Sequence, residues 1–437
     1  MAEVTLIKNA AEQQLAAEWA TAKAKLPGAA PLRAAAFEQF AKAGLPHRRV
    51  EDWKYTDLRA LMRDAKPLVA RPDRAAFERL KDAGAGLGDL DARRIIIADG
   101  YLAPGWSDAD THDPGISIVE LSAWLAGQDS FRVGTLPEAA RSDIAVSLNT
   151  AFMTGGVVIH VAKDACIEQP IHLAHVFSGK TAAATYPRSI VIMEPGARLM
   201  LIESFEGPDG VDYQVNTALQ MFAGDGAHAD HIKVTREGDK ALHVSSLMAD
   251  VGAHARFNTF LFTTGGAVTR NQLFLRFGGE ETIASIRGAT LLKGKQHADT
   301  TMVVDHASVG CQSREVFKSV LDERSRGVFQ GKIIVQPGAQ KTDAKMGSHA
   351  LMLSEEAEAD NKPELEIYAD DVQCGHGATA GDLDEDLLFY LRARGIPQVE
   401  AEALLIQAFV GDAIEGIEHA GLREALMEAV QAWLKAR

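Results

Sequence analysis

Two residues near the carboxyl end of the chain, Cys374 and His376, are of types that bind metal ions and stand two positions apart. They belong to the stretch Lys362–Gly381, KPELEIYADDVQCGHGATAG, where apolar and polar residues alternate as in a half-buried strand. Because side chains two apart in a strand share a side, the thiol and the imidazole should project together. Both groups are ligands for iron, zinc and copper(I). The two residues are therefore a candidate metal-binding pair, although the spacing alone favours the structural interpretation given next.

A second interpretation of this pair stays open. Two ligands do not complete a tetrahedral site, and Cys-x-His also fits a small buried thiol beside a hydrogen-bonded histidine. Cys374 is the weaker candidate ligand, because a thiol packs readily into an apolar core.

Other patterns that could bind nucleotides fail on their context. Gly224–Ala229 fits G-x-G-x-x-A, but the strand-like sequence HIKVTRE follows it, whereas a dinucleotide site needs a helix there. The lysine-bearing segments Gly288–Lys295 and Gly327–Lys332 lack the Walker A spacing. We therefore expect any use of ATP to come from a partner.

Two His-x-x-His pairs, His172/His175 and His228/His231, lie in strand-like sequence. Residues three apart in a strand face opposite sides, so neither pair should chelate a metal by itself.

The composition indicates an acidic globular protein. The chain has 437 residues, of which 60 are acidic and 45 are lysine or arginine, for a net charge of -15. This charge disfavours nucleic acid and anionic lipid as partners. No apolar run approaches the roughly 18 residues that span a bilayer, and no secretory leader is recognisable, so we expect a cytoplasmic protein with no membrane partner. Three cysteines, Cys166, Cys311 and Cys374, are too few and too scattered for a disulfide framework.

The hydrophobic periodicity divides the chain into three parts. Residues 1–154 read as mainly helical, with LPHRRVEDWKYTDL expected to form a helix end and turn that buries Trp53 and Tyr55. Residues 155–381 consist of short strand-like runs separated by Gly, Asp and Pro. Residues 382–437 return to helical spacing, and an acidic first turn opens their first helix.

A corner of small residues recurs in the middle part, at Gly196-Ala197, Gly226-Ala227, Gly252-Ala253 and Gly278-Gly279. The steps of 30, 26 and 26 residues suit one turn of a β-solenoid, in which each coil buries the apolar face of its neighbour. A β-sandwich is the competing architecture, but it is normally built on short antiparallel hairpins. We predict a mixed α and β chain in which helical regions flank a central parallel β-helix.

The segments RGVFQGKIIV, AQKTDAKMGSHALMLS, KPELEIYADDVQCGHGATAG and LDEDLLFYLRARGI, between Arg326 and Gly395, together with LPHRRVEDWKYTDLRAL at Leu45–Leu61, carry a family resemblance. They resemble the SufB/SufD family, the scaffold subunits of the SufBCD iron–sulfur cluster assembly complex. The chain departs from the usual pattern at Gly347-Ser348-His349, where polar residues such as asparagine are common. SufB-type members typically have glutamate at the position of Cys374 and carry other cysteines that this chain lacks.

The resemblance implies a right-handed parallel β-helix in a non-catalytic subunit. It further implies pairing with a SufB-like paralogue through the end of the β-helix, and docking of a SufC-like ATPase on the carboxy-terminal helices. His376, with Cys374 as the weaker candidate, would handle transient iron or an iron–sulfur cluster at the partner interface, with no cofactor bound tightly by the isolated chain. A homodimer of the isolated chain is a further expectation.

The alternative function is that of a β-helix carbohydrate-active enzyme, with Asp370 and Asp371 as acid/base groups or calcium ligands. Adjacent residues of a strand face opposite ways, so this pair is poorly placed to act together. The lack of a recognisable leader also counts against an enzyme that acts outside the cell.

Overall fold

The computed structural model describes residues 8–437, apart from residues 79, 81–83, 85–86, 88–89, 104, 106, 108–113 and 128–130.

The described strands fall into two long sheets. They are β1 (Arg93–Ala98), β2 (Tyr101–Leu102), β3 (Ile116–Glu120), β4 (Val157–Val161), β5 (Ile171–Val176), β6 (Ala184–Thr185), β7 (Arg188–Met193), β8 (Arg198–Glu206), β9 (Gln214–Ala223), β10 (His228–Arg236), β11 (Leu242–Val251), β12 (Arg256–Thr263), β13 (Val268–Phe277), β14 (Ile283–Leu292), β15 (His297–His306), β16 (Gln312–Leu321), β17 (Arg326–Val335), β18 (Asp343–Met352), β19 (Glu358–Ile367) and β20 (Gln373–Gly381).

The helices lie mainly before and after the strands. They are α1 (Ala10–Ala22), α2 (Ala30–Ala43), α3 (Leu58–Leu61), α4 (Arg74–Glu78), α5 (Leu121–Gly127), α6 (Phe131–Gly134), α7 (Glu138–Arg141), α8 (Ile144–Phe152), α9 (Glu385–Ala393), α10 (Gln398–Ile414) and α11 (Ala420–Lys435), with a 3-10 turn at Glu51–Trp53.

From β8 onward, successive strands alternate between the two sheets, and each pairs in parallel with the strand two positions later. Sheet 1 has the order β2-β1-β5-β8-β10-β12-β14-β16-β18-β20, and sheet 2 has the order β19-β17-β15-β13-β11-β9-β7-β4-β3. His228 pairs with Arg256, and Arg256 with Ile283, so these coils take 28 and 27 residues. The chain is a parallel β-solenoid, as predicted, and the solenoid has about eight turns. Its handedness stays a prediction.

The corners of the solenoid explain the recurring small residues. Gly196 and Gly226 adopt φ values of 75° and 67°, in the left-handed region that glycine enters without strain. At Gly279 a Cβ would stand 1.9 Å from the backbone nitrogen of Ala253 in the preceding coil. Only glycine permits the coils to approach this closely.

The space between the two sheets is filled by inward side chains that stack coil on coil. In sheet 2, for example, Leu247 pairs with Leu273 and Val251 with Phe277, and all four are buried. Because each coil covers the apolar face of the next, the stack buries a continuous core.

The amino-terminal helices cover the outer face of sheet 2. Every residue of α8 is buried, and Phe152 stacks on Tyr186 with ring centroids 5.0 Å apart. Trp53 is 2% exposed and lies 3.9 Å from the Arg270 guanidinium, so the predicted burial of Trp53 is confirmed. Tyr55 is only half-buried.

The carboxy-terminal helices α10 and α11 cover the outer face of sheet 1. Ile406, Val410 and Leu426 are buried in one cluster with Phe260 and Phe262 of β12. Each such side chain contributes about 1.5–3 kcal/mol by leaving water, so these two helices stabilise the solenoid. None of the helices in the described ranges is long and apolar enough to cross a membrane.

The sheets also include strands that precede residue 155. β1 pairs in parallel with β5, and β3 pairs antiparallel with β4. The region 1–154, predicted to be mainly helical, therefore supplies the first strands of both sheets as well as eight helices among its described residues. The divisions at 154/155 and 381/382 stay predictions.

Candidate functional site

Cys374 and His376 lie on β20, the last strand of sheet 1. Cys374 pairs with Ala344 of β18, and His376 pairs with Met346 two residues further along. Both side chains therefore project from the same side of the strand, as the spacing predicted. Together with four neighbours they line an open depression at the end of the solenoid; these neighbours are Lys345, Met346, Gln373 and Gly375.

The two candidate ligands differ in their surroundings. The Cys374 side chain packs against the interior core and is half-buried, whereas His376 is exposed. Burial raises the pKa of the Cys374 thiol, and nearby Asp343 and Glu315 raise it further, against a lowering hydrogen bond to the Ala344 backbone. The thiol is therefore protonated at neutral pH, so it needs a metal or a partner's charge to become a ligand.

The pair supplies only part of a metal site. Among the described residues, no group of three or more His, Cys, Asp or Glu side chains is arranged to hold a metal ion. A thiol and an imidazole suit iron or an iron–sulfur cluster in type, but a tetrahedral centre needs four ligands. The arrangement can therefore share a metal only with ligands from elsewhere.

The other cysteines lie apart from this end. Cys311 is buried, and its thiol is 3.3 Å from the Gly279 carbonyl oxygen. Cys166 is exposed, and its backbone forms an isolated β-bridge with Arg198 in an early coil. Neither joins the depression.

The His-x-x-His pairs face opposite sides of their strands, as predicted. His172 bonds to Ser204 Oγ at 2.8 Å, while His175 stacks on Phe205 in the interior with ring centroids 4.3 Å apart. Coil stacking instead joins members of different pairs, because His231 Nε2 lies 3.0 Å and His175 Nε2 3.5 Å from the Glu203 carboxylate. Burial favours the neutral carboxyl, but these two histidines lower the pKa of Glu203 overall.

A buried ammonium group forms the centre of a second interior network. Lys233 donates to three acceptors: His243 Nε2 at 2.9 Å, Ser245 Oγ at 2.7 Å and Asn271 Oδ1 at 2.7 Å. Because His243 Nε2 accepts from Lys233, its Nδ1 carries the proton and donates to Glu237 Oε1 at 2.9 Å. Burial lowers the pKa of Lys233 and raises that of Glu237. Sequence motifs gave no signal for this network, because its members come together only through coil register.

An exposed apolar surface lies on the carboxy-terminal helices. No residue of α9 is buried, and Phe389 is 73% exposed. We call the exposed apolar side chains of α9 and α10 the α9 surface; they are Leu387, Phe389 and Tyr390 of α9, and Val399 and Leu404 of α10. Large apolar side chains left exposed on helices are typical of interaction surfaces.

The sequence matches two family descriptions that together extend from residue 17 to residue 409. Residues 17–173 match the SufBD protein N-terminal region, and residues 175–409 match the SufBD core domain of the SUF iron–sulfur cluster assembly system. The chain belongs to the SufBD family. It is an iron–sulfur cluster assembly protein of SufD type.

Individual SufBD relatives match over almost the whole chain. The iron–sulfur cluster assembly protein SufD of Escherichia coli is 30% identical over 398 residues, 90% of either chain. A SufBD family protein of Synechocystis is 29% identical over 402 residues, 88% of this chain and 87% of its own. The SufD protein of Bacillus subtilis is 23% identical over 415 residues, 92% of this chain and 93% of its own.

The SufBD core match includes the Cys374–His376 pair and α9.

The carbohydrate-enzyme alternative gains no support from the structure. Asp370 and Asp371 are both exposed, and Asp371 is paired with Lys341, so the two carboxylates form no acid/base site.

Proposed function

We propose that this chain is a non-catalytic scaffold subunit of a SufBCD-type complex in the cytoplasm. The observation that carries the proposal is the uncovered last coil of the solenoid, β19 and β20. Neither strand contains a buried residue, whereas most of β17 is buried. Strand pairing gives each of them a single neighbour in the described chain, β17 for β19 and β18 for β20.

An uncovered sheet edge is a surface for a further strand. The backbone N–H and C=O groups along it can pair with another chain, and single-chain folds normally protect such edges. At the other end of the solenoid, β2 and β3 close both sheets by antiparallel pairing. The open end therefore suits a second solenoid of the same kind, and we propose a SufB-like paralogue as that partner. A homodimer through the same end is the competing occupant.

Pairing at this end gives Cys374 and His376 their missing ligands. His376 is exposed in the depression that a partner would cover, so its imidazole can meet thiolates from the other chain. Iron or a nascent cluster is then the cargo of the complex, held transiently between two subunits. Cys374 contributes less, because its side chain already packs against the core.

We assign the α9 surface to a SufC-like ATPase. The sequence carries no nucleotide-binding loop, so ATP has to be bound by another subunit. Phe389 and Tyr390 are 73% and 54% exposed, and aromatic residues are enriched in protein interfaces.

Affinity purification of the tagged full-length chain from its own cytosolic extract tests this proposal. A cysteine-bearing paralogue and an ATPase are expected to co-purify. Ala378→Lys places a charge on exposed β20 and should remove the paralogue but keep the ATPase. Ala35→Lys, at an exposed position of α2, is the matched control and should keep both. Retention of the paralogue by Ala378→Lys would refute docking through the last coil, and a homodimer without a paralogue would favour the competing occupant.

A further inference from the structure

Charged side chains on the outer face of sheet 2 change sign from one strand to the next. Side chains of this face alternate with the inward ones, such as Ile333 in β17 and Leu365 in β19, which pack in the core. The net charge is +2 on β13, -2 on β15, +2 on β17 and -3 on β19, and every charged residue lies at an outward position. These residues are Arg270 and Arg276 in β13, Asp299 and Asp305 in β15, Arg326 and Lys332 in β17, and Glu358, Asp360, Lys362, Glu364 and Glu366 in β19.

The alternation produces ion pairs between neighbouring coils. Opposite charges on adjacent strands stabilise a sheet, and like charges directly opposite destabilise it. Each strand from β13 to β17 has neighbours of the opposite sign on both sides, including Asp250 on β11. The pairs include Arg276–Asp250 at 3.2 Å, Arg270–Asp299, Arg326–Asp360 at 2.6 Å and Lys332–Glu366 at 3.0 Å.

The carboxylates of β19 outnumber the cations that they contact. Lys332 Nζ lies 3.0 Å from Glu366 and 3.9 Å from Glu364, so two carboxylates share one ammonium. Two carboxylates also share Arg326 of β17, and two share Lys362 of β19 itself. Burial alone would lower the pKa of Lys332, but Glu366 and Glu364 raise it overall. Among the described strands, β19 has no neighbour on its other side that could compensate the surplus.

A second copy of this chain offers no compensating strand. The described edge strands of the two sheets are β2, β3, β19 and β20. Lysine and arginine are absent from β2, β3 and β20, and β19 is itself acidic. Two copies joined at their last coils would therefore place the carboxylates of β19 beside the same carboxylates or beside β20, which has no cation to pair with them.

We propose that β19 selects its partner by charge, so that the strand added to it carries at least two lysine or arginine residues on its outer face. The inference rests on the proposed docking of a SufB-like paralogue at the last coil, and it names the chemistry of the paralogue's strand. A basic strand continues the alternation of sheet 2 and pairs with the surplus carboxylates. The same carboxylates weaken pairing between two copies of this chain, and specificity commonly combines such attractive and repulsive elements.

Sedimentation velocity of the full-length chain, alone and mixed with the purified paralogue at low ionic strength, tests the proposal. Glu364→Gln/Glu366→Gln removes two carboxylates from the outer face of β19. This variant should bind the paralogue about 5-fold more weakly and associate with itself about 5-fold more strongly than the wild type does. Glu355→Gln/Glu356→Gln is the matched control, because it makes the same change of charge at exposed positions between β18 and β19. The control variant should behave as the wild type does in both mixtures.

The opposite signs of the two effects distinguish selection by charge from a structural role. If the two carboxylates only stabilised the fold of β19, their neutralisation would weaken both associations, and that result would overturn the proposal. Added salt should likewise weaken binding of the paralogue and strengthen self-association of the wild type, because it screens exposed charges. Paralogue binding that is unchanged by salt would also overturn it.

The outcomes separate this inference from the proposed function. If the paralogue binds the wild type and Glu364→Gln/Glu366→Gln equally, and self-association is also equal, charge selection is wrong while docking at the last coil stands. If the paralogue does not bind the wild-type chain, both are wrong.

Discussion

Replacing His376 by alanine should impair cluster assembly more than replacing Cys374, although both side chains project from the same side of β20. If the partner supplies thiolates, the imidazole is a ligand type that the shared site otherwise lacks. One further thiol can be replaced by a neighbouring thiol or by water. A purely structural role for the pair predicts the opposite order or equal effects.

The stability cost of each substitution follows from its surroundings. The exposed His376 ring forms no hydrogen bond to any described residue, so its truncation should change the free energy of unfolding by less than about 0.5 kcal/mol. Cys374 is half-buried against the core, and its truncation leaves a small cavity worth about 1 kcal/mol. For a chain of this length that corresponds to a melting temperature at most about 3 °C lower.

The assay is the activity of a cluster-dependent enzyme in cells that rely on each variant, with melting temperatures measured in parallel. His349→Ala is the matched control, because His349 lies on neighbouring β18 and bonds to Thr379 on β20, at the same end of the solenoid. We expect low activity with unchanged melting for His376→Ala, and normal activity for His349→Ala. Wild-type activity for His376→Ala would refute a functional role for that residue.

Three further predictions concern the interior, the acid response and the α9 surface. Lys233→Met should cost about 1–3 kcal/mol in urea unfolding, because it leaves the buried His243 Nε2 without its donor, whereas Ser245 still donates to Asn271; an unchanged free energy of unfolding would contradict this. Burial lowers the pKa of His172 and of His306 to about 4. As the pH falls, these two imidazoles therefore gain protons in the unfolded chain before they do in the folded chain. Each of the two histidines should therefore lower the free energy of unfolding by about 2 kcal/mol between pH 7 and pH 5. A urea midpoint that is the same at pH 7 and pH 5 would refute this prediction. Phe389→Ser should abolish co-purification of the ATPase, whereas Val309→Ser, at an exposed position in a corner of the solenoid, should keep it. If both variants retain the ATPase equally, Phe389 is not part of the docking surface.

The solenoid was predictable because its constraints are local. Corners such as Gly226 need a left-handed backbone in every coil, and the inward residues recur two positions apart, so both patterns are readable along the chain. The shared side of Cys374 and His376 follows from the same alternation. The pairing of the strands before residue 155 could not be read from the chain, because β1 and β3 pair with strands of later coils.

The interior polar groups could not be predicted, because their partners are set by coil register. Lys233 contacts Asn271, 38 residues later, and Glu315 lies behind His376 only because β16, β18 and β20 stack in register. Corner lengths differ from coil to coil, so a sequence step of 26 to 30 residues does not fix which side chains meet. The packing of α10 and α11 on sheet 1 could not be predicted for a similar reason. An apolar stripe indicates that a helix packs against something, but it does not identify the surface that the helix covers.

Backbone hydrogen exchange in the last coil tests the scaffold proposal most directly. Amide exchange of residues 358–367 and 373–381 should be compared between the isolated chain and the complex with its paralogue and ATPase. If the open end is the docking surface, these amides exchange more slowly in the complex, while those of β11 and β12 in the middle of the solenoid do not change. Unchanged exchange throughout β19 and β20, in a complex that contains the paralogue, would contradict the account.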